Sequence, residues 1–224
     1  MYKRQALDSY SNLKTAVANY LNRTDLTSYL DDFIDLTEVR HARELRLRPT
    51  IIITTTNATG GNNKIPLPSD YLQFVYIQLN SGNKNFLQYM SPNEISRIYN
   101  SQGNAGPIYY TILGDNIMFG PTPSDSSEIE MCYYKKVSPL STTTPTNEIL
   151  KNYPDLYLYG CLLEAQPFIM ADERLPVWAE MYRTAVQNAE DGDAKEKHSG
   201  SPLQMTPSGA FAKARSWPQT NVSA

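Results

Sequence analysis

The chain has 224 residues, a formal net charge of −3, 41% hydrophobic residues and 11% aromatic residues. That apolar content supports a packed core and excludes a disordered chain, and the charge excludes a global basic field for gripping nucleic acid. No apolar run approaches the roughly 20 residues that span a bilayer, and residues 1–14 lack the apolar core of a signal peptide, so folding in a cytoplasm is expected.

Tyr10, Leu13, Val17, Tyr20 and Leu21 recur at helical spacing and predict a first helix with this stripe inward. A second helix is expected with Thr27 as N-cap and with Leu30, Phe33, Ile34 and Leu36 on its apolar side. Arg40, Arg43, Arg46 and Arg48 cluster towards its end, where the helix dipole favours cations, and Pro49 stops it.

From residue 50 to about 137 the pattern turns to strands. Ile51, Ile52 and Ile53 followed by three threonines form a β-branched run. Residues 57–63, with Gly60-Gly61, read as a loop or hairpin tip, and 72–79 and 86–90 as two strands around Ser81-Gly82-Asn83. Pro92 opens a short helix through Tyr99, capped by Ser91. Residues 109–113 and 117–119 flank Gly114-Asp115-Asn116 as a hairpin, and 129–137 closes an antiparallel module.

From Asn147 the helical pattern returns. Residues 155–171 are apolar nearly all round and predict a central buried helix, which Pro167 kinks or ends early. Asp172 caps a further helix through Trp178, Met181, Tyr182 and Val186, with Pro176 in its first turn, fading in the charged stretch 190–197. The expected fold class is α+β. A helical bundle forms from the N-terminal helices (1–49) and C-terminal helices (139–197), with an inserted antiparallel β domain (50–138) and an extended C-terminal arm (198–224) rich in Ser, Pro and Gly.

Little in the chain points to catalysis. His41 and His198 are the only histidines, so neither a triad nor a histidine-rich metal site can be assembled, and Gly60-Gly61 lacks the Lys-Ser/Thr of a phosphate loop. No cofactor is expected. Cys132 and Cys161 fit buried free thiols. Asp31, Asp32 and Asp35 read as a solvated helix face. Glu164 lies in an otherwise apolar helix, either as a general acid in a cleft or, preferred here, as a structural ion pair with an arginine of the second helix, because buried charges need partners. His41 reads as a packed or surface side chain rather than a ligand. Tyr71, Tyr76, Tyr89, Tyr109, Tyr110, Tyr133 and Tyr134 fit half-buried strand faces and subunit contacts better than base stacking. The arginines at 40–48 read as a solvated helix end with ion pairs, the sharper alternative being contact with an acidic partner or DNA.

Four stretches in order carry a resemblance: IPLPSDY (65–71), GPIYYTILGDNIMFGPTP (106–123), CYYKK (132–136) and YPDLYLYGCLLEA (153–165). Over roughly residues 27–190 they resemble the phage head–tail adaptor family. Leu67, Pro68, Asp70 and Tyr71 match its Leu-Pro-x-Asp-aromatic entry to the β region, and Gly106, Pro107, Tyr109 and Tyr110 a close variant of its Gly-x-Pro-x-x-Tyr segment. Pro121 and Pro123 match its Pro-x-Pro, and Leu158, Tyr159, Gly160, Glu164 and Ala165 its Leu-Tyr-Gly helix. Thr146-Asn147-Glu148 departs from the pattern, since a bulky aromatic often follows that asparagine in the family.

The resemblance implies a virion structural protein, made in the host cytoplasm and placed at the head–tail junction. It implies a homo-oligomeric ring, usually of about twelve copies, docked to the portal protein above and a tail nozzle or tube protein below. The ring extends the DNA channel for genome retention and ejection. Double-stranded DNA passes through the lumen without specific binding, and no membrane or catalysis is involved. Two rivals are a phage cell-wall hydrolase, which would need Glu164 in a cleft, and a small nucleic-acid-binding protein, which would bind DNA with strong salt dependence. Residues 198–224 contain Lys213 and Arg215 and no Asp or Glu, a formal +2. Too little of that arm is apolar to fold alone, so Leu203, Met205, Phe211 and Trp217, with the two cations, are expected to anchor it on the portal or an adjacent subunit.

Overall fold

The computed structural model describes residues 7–80, 85–98, 106–123, 126–169 and 173–198. Helix α1 (Tyr10–Leu21) starts at Ser9, whose hydroxyl accepts from the Asn12 N–H at 3.4 Å, and ends at Asn22 with φ 53°. Leu13, Val17 and Leu21 are buried, but Tyr20 is 48% exposed. Tyr20 stands at the edge of the stripe that Leu13, Val17 and Leu21 form and keeps one side to solvent.

Helix α2 (Leu30–Glu44) does not begin at Thr27. A 3-10 turn, Thr27–Tyr29, precedes it, and the Thr27 hydroxyl donates back to the Thr24 carbonyl at 2.8 Å. Thr37 and His41 continue the buried stripe of Leu30, Phe33 and Ile34, whereas Leu36 is 51% exposed. The helix stops at Glu44, before Arg46, Arg48 and Pro49. Leu45 and Leu47 are extended and both buried, so their alternation pulls the chain out of the helix earlier than proline would.

Among the described residues eight strands follow: β1 (Ile51–Ala58), β2 (Lys64–Pro66), β3 (Tyr71–Leu79), β4 (Asn85–Phe86), β5 (Gln88–Tyr89), β6 (Tyr109–Leu113), β7 (Asn116–Gly120) and β8 (Ser127–Lys135). They form two four-stranded sheets, ordered β1-β8-β3-β4 and β2-β7-β6-β5. A shared core that includes Ile65, Ile77, Ile117, Phe119, Ile129 and Met131 lies between them. Three expectations change here. Of the two readings of 57–63, the loop holds and the hairpin tip does not: residues 59–63 carry the chain from one sheet to the other, since β1 pairs with β8 and β2 with β7. The 86–90 run is not one strand: around buried Leu87, β4 pairs with β3 and β5 with β6. The β5–β6 pairing is parallel, so the module is mixed rather than wholly antiparallel. β8, the last strand in chain order, lies between β1 and β3 inside its sheet. Helix α3 (Pro92–Ile98) packs on β7 so closely that a Cβ on Gly120 would meet Ile95 Cγ1 at 2.8 Å.

Helix α4 (Glu148–Asn152) is capped by Asn147, whose Oδ1 accepts from the Leu150 N–H at 2.9 Å. Helix α5 (Pro154–Glu164) is the central buried helix, and it ends before Pro167, which sits in a 3-10 turn, Gln166–Phe168. Helix α6 (Leu175–His198) runs on through the charged stretch where fading was expected. Ala185 and Ala189 extend the buried stripe of Trp178 and Tyr182, and the Asp193 carboxylate, also buried, accepts from the Arg48 N–H at 2.7 Å. Tertiary contact thus holds a segment whose composition favours fraying. Tyr99, Ser81-Gly82-Asn83, Asp172 and the arm beyond His198 lie outside the described residues.

Candidate functional site

The helices meet the β1-β8-β3-β4 sheet along a seam, where a cavity of about 570 Å³ opens. It is lined by Asp35, Glu38 and His41 of α2, by Asp70 and Leu72 where β3 begins, by Lys135 and Lys136 where β8 ends, and by Tyr157 of α5. The Glu38 carboxylate accepts from the Leu140 N–H at 2.8 Å and from the Tyr157 hydroxyl at 3.1 Å. The Asn147 amide donates to the Tyr157 oxygen at 2.6 Å and to the Ser138 carbonyl at 3.1 Å. This network stitches the segment leaving β8 to α2 and α5.

Burial raises the Glu38 carboxyl to about 7; the Leu140 N–H and the Tyr157 hydroxyl offset part of that, Asp35 adds to it and Lys136 opposes it. Burial likewise holds the Tyr157 hydroxyl well above the usual phenol range. His41 is 3% exposed and meets the Tyr157 ring edge-on at 4.9 Å. Neither of its nitrogens has a hydrogen bond of full geometry, the Leu156 backbone giving weak support, and burial lowers it to about 4. It is a packed neutral imidazole.

The chemistry available here is modest. Glu38 can hold or release a proton near neutrality, but its oxygen is engaged by two donors. Cys161 is fully buried, which pushes its thiol up to about 12 and removes it as a thiolate nucleophile. Among the described residues no group of three or more His, Cys, Asp or Glu could hold a metal ion. The hydrogen bonds of the seam brace the segment leaving β8 against α2 and α5.

The residues singled out from sequence fall in different places. Glu164 pairs with Arg40, whose Nε donates to Glu164 Oε1 at 2.8 Å, but the two side chains are 18% and 35% exposed. The pair therefore sits at the rim of the helical core rather than deep within it, and Glu164 is not among the cavity-lining residues. Asp31 takes the Lys14 ammonium at 2.6 Å and the Tyr10 hydroxyl at 2.5 Å. Arg46 donates to Gln73 at 3.1 Å and Arg48 pairs with Glu196, so these two cations tie the connection between α2 and β1 to β3 and to α6. Arg43 is exposed. Cys132 and Cys161 are buried and unpaired as thiols. Leu203, Met205, Phe211, Lys213, Arg215 and Trp217 lie outside the described residues. The Glu38 network was missed. Its signal was available, because position 38 follows the buried Ile34 by one helical turn and neighbours the inward Thr37 and His41.

A family model described as SU10 adaptor protein matches residues 8–206. The chain belongs to this phage head-to-tail adaptor family. A search of curated proteins returns no match. As a SU10 adaptor the chain is a structural protein of the phage virion. In this adaptor the motif residues hold the architecture. Asp70 accepts from the Tyr133 hydroxyl at 2.9 Å, tying the entry of β3 to β8, and the Pro123 carbonyl accepts from the Gly61 N–H at 2.8 Å, fastening the inter-sheet crossover. Gly160 lets α5 approach α2, since a Cβ there would fall 2.5 Å from Thr37 Cγ2. Where the adaptor departs from the family pattern, Glu148 takes the Lys135 ammonium at 2.7 Å and closes the local loop with an ion pair.

Proposed function

We propose that this adaptor assembles as a homo-oligomeric ring of about twelve copies between the portal protein and the tail nozzle or tube protein. The ring extends the DNA channel, retains the packaged genome and passes it on at ejection, with double-stranded DNA crossing the lumen without specific binding. The family match, which covers residues 8–206 and so both the helices and the sheets, carries this reading. The formal charge of −3 suits a lumen that must release phosphates, because a strongly cationic wall would retain DNA. Exposed Tyr89 and Leu113 on the β module offer apolar surface of the kind that interfaces use. We assign the helices within 1–49 and 139–197 to one body, the inserted 50–138 to a second, and the distal arm, with Phe211, Lys213, Arg215 and Trp217, to contact with the portal or an adjacent subunit.

The deciding experiment mixes purified adaptor with tailless heads that carry the portal and images them in negative stain. A ring of density added at the portal vertex is expected. Bare vertices at saturating adaptor, alongside heads that still accept their native tail assembly, would overturn the reading.

A further inference from the structure

We propose that residues 199–206 dock in cis across the outer face of the β1-β8-β3-β4 sheet, seating Leu203 and Met205 on an apolar strip formed by Ile53, Tyr76 and Phe86. Strand register separates the two faces of that sheet. Ile129, Met131 and Tyr133 of β8 belong to the core between the sheets, so Cys132 and its partners Ile53 and Tyr76 point the other way. Phe86 pairs with Gln78, which is opposite Glu130 on that same outer face, and its ring meets Tyr76 at 5.5 Å. Ile53 is 58% exposed and Phe86 64%, and Val75, at the β3 bulge, is 48% exposed. Large apolar side chains thus stand exposed on the two edge strands, Ile53 on β1 and Phe86 on β4, with half-buried Tyr76 between them, the kind of patch a soluble surface keeps small unless something covers it.

The chain's own continuation is the occupant at hand. The last turns of α6 lie at one end of this face, where Asp193 accepts from the Arg48 N–H ahead of β1, Glu196 pairs with Arg48, and Lys197 Nζ reaches the Tyr134 hydroxyl at 3.4 Å. Tyr134 shares the outer face with Cys132, so the chain passes His198 next to this strip. An extended chain advances about 3.3 Å per residue, so the five residues from His198 to Leu203 can cover a longer run than the four from Tyr134 to Glu130 on β8, the level at which Phe86 lies. Residues two apart share one side of an extended segment, so both side chains descend together. Residues 199–206 hold no charged side chain, and so nothing in them repels Glu128 and Glu130, which already accept from Asn80, Tyr76 and Gln78 on this face. The family match runs to residue 206, past the end of α6, which places this stretch inside the unit the family shares.

The test uses the full chain with a benzophenone amino acid at position 203, irradiated as the free adaptor at low concentration, with crosslinks mapped by mass spectrometry. Crosslinks within one chain to peptides holding Ile53, Val75, Tyr76 or Phe86 are expected, and they should be lost in Ile53→Asp/Phe86→Asp protein whose far-ultraviolet spectrum is unchanged. Should that double variant misfold, the mapping in the otherwise unsubstituted chain still decides the matter. A crosslinked dimer would assign the strip to a second copy, and crosslinks elsewhere or none at all would leave the strip to another partner; each of these outcomes overturns the proposal.

Discussion

Glu38 and His41 share the inner side of α2 and titrate in opposite senses. Burial raises Glu38 from an ordinary 4.5 to about 7, so the folded chain holds that proton more tightly than the unfolded one. Its contribution to stability is full below pH 4.5 and is lost as pH rises through 7. Burial lowers His41 from 6.5 to about 4, so its contribution is full above pH 6.5 and is lost as pH falls through 4. Between those limits the two slopes oppose one another. Glu38→Gln keeps an acceptor for the Leu140 N–H and removes only the first slope. Its melting temperature should exceed that of the wild type at pH 8 and should fall more steeply than the wild type's from pH 6.5 towards 4.5. Parallel Tm–pH curves for the two proteins would refute the assignment. A second contact is steric. Gly160→Ala should cost on the order of 1–3 kcal/mol through overpacking, and Thr37→Ser, which removes the colliding Cγ2 and keeps the hydroxyl, should recover much of that loss in denaturant titrations. The rim position of Arg40–Glu164 lowers what its removal can do. Glu164→Gln should cost only about 1 kcal/mol, near the range of exposed pairs, and a loss several times larger would show that the pair is effectively desolvated.

Helix α6 shows how an element can outrun its local signals. Gly192 and the run of charges around it argue for an early end, yet the helix continues to His198. The buried Asp193 supplies the reason, holding both the Arg48 N–H and the Lys197 ammonium, the latter at 2.6 Å. Asp193→Ala leaves a backbone donor without its partner, a loss of about 1–3 kcal/mol. Amide exchange should accelerate selectively over 190–198 while 175–189 stays protected. Uniform protection along the helix in the variant would mean that intrinsic propensity, not this contact, sets its end. The loop at 59–63 makes the converse point. It looks like a tip that could be shortened freely, but it links the two sheets and its Gly61 N–H and Asn63 carbonyl bond to Pro123 and Phe119. Deleting 60–63 should therefore destabilise the whole β module and broaden its melting transition, whereas removal from a true hairpin tip would leave it intact.

For the whole molecule, two cores divide the work. One, inside the helices, is built on α5; the other lies between the two sheets; the Glu38–Tyr157–Asn147 network secures the passage from β8 to the helices. A chain ending at Thr206 retains every residue of both cores and the stretch proposed to dock across the sheet. It should remain folded with an unchanged cooperative melt, while losing the ability to join portal-bearing heads in a co-sedimentation assay. If it still joins them with full affinity, the arm has no part in docking.

Local pattern sufficed for much of this protein. The helical repeat marked α1, α2 and α5, the β-branched run marked β1, and Gly114-Asp115 marked the turn between β6 and β7, because periodicity and turn chemistry act over a few residues. The ordered short motifs were enough to indicate the family, since each fixes a specific joint: Asp70 at Tyr133, Gly160 at Thr37. The rest needed the tertiary structure. Which strands share a sheet, why α2 ends at Glu44, and why α6 persists all depend on partners far apart in the chain, as when the Asp193 carboxylate meets the Arg48 N–H. Burial, too, is decided only by packing. Nothing local distinguishes Glu38, half-buried between α2 and α5 and raised towards neutrality, from Glu164, held at the rim beside Arg40, because desolvation is a property of the surroundings and not of the residue.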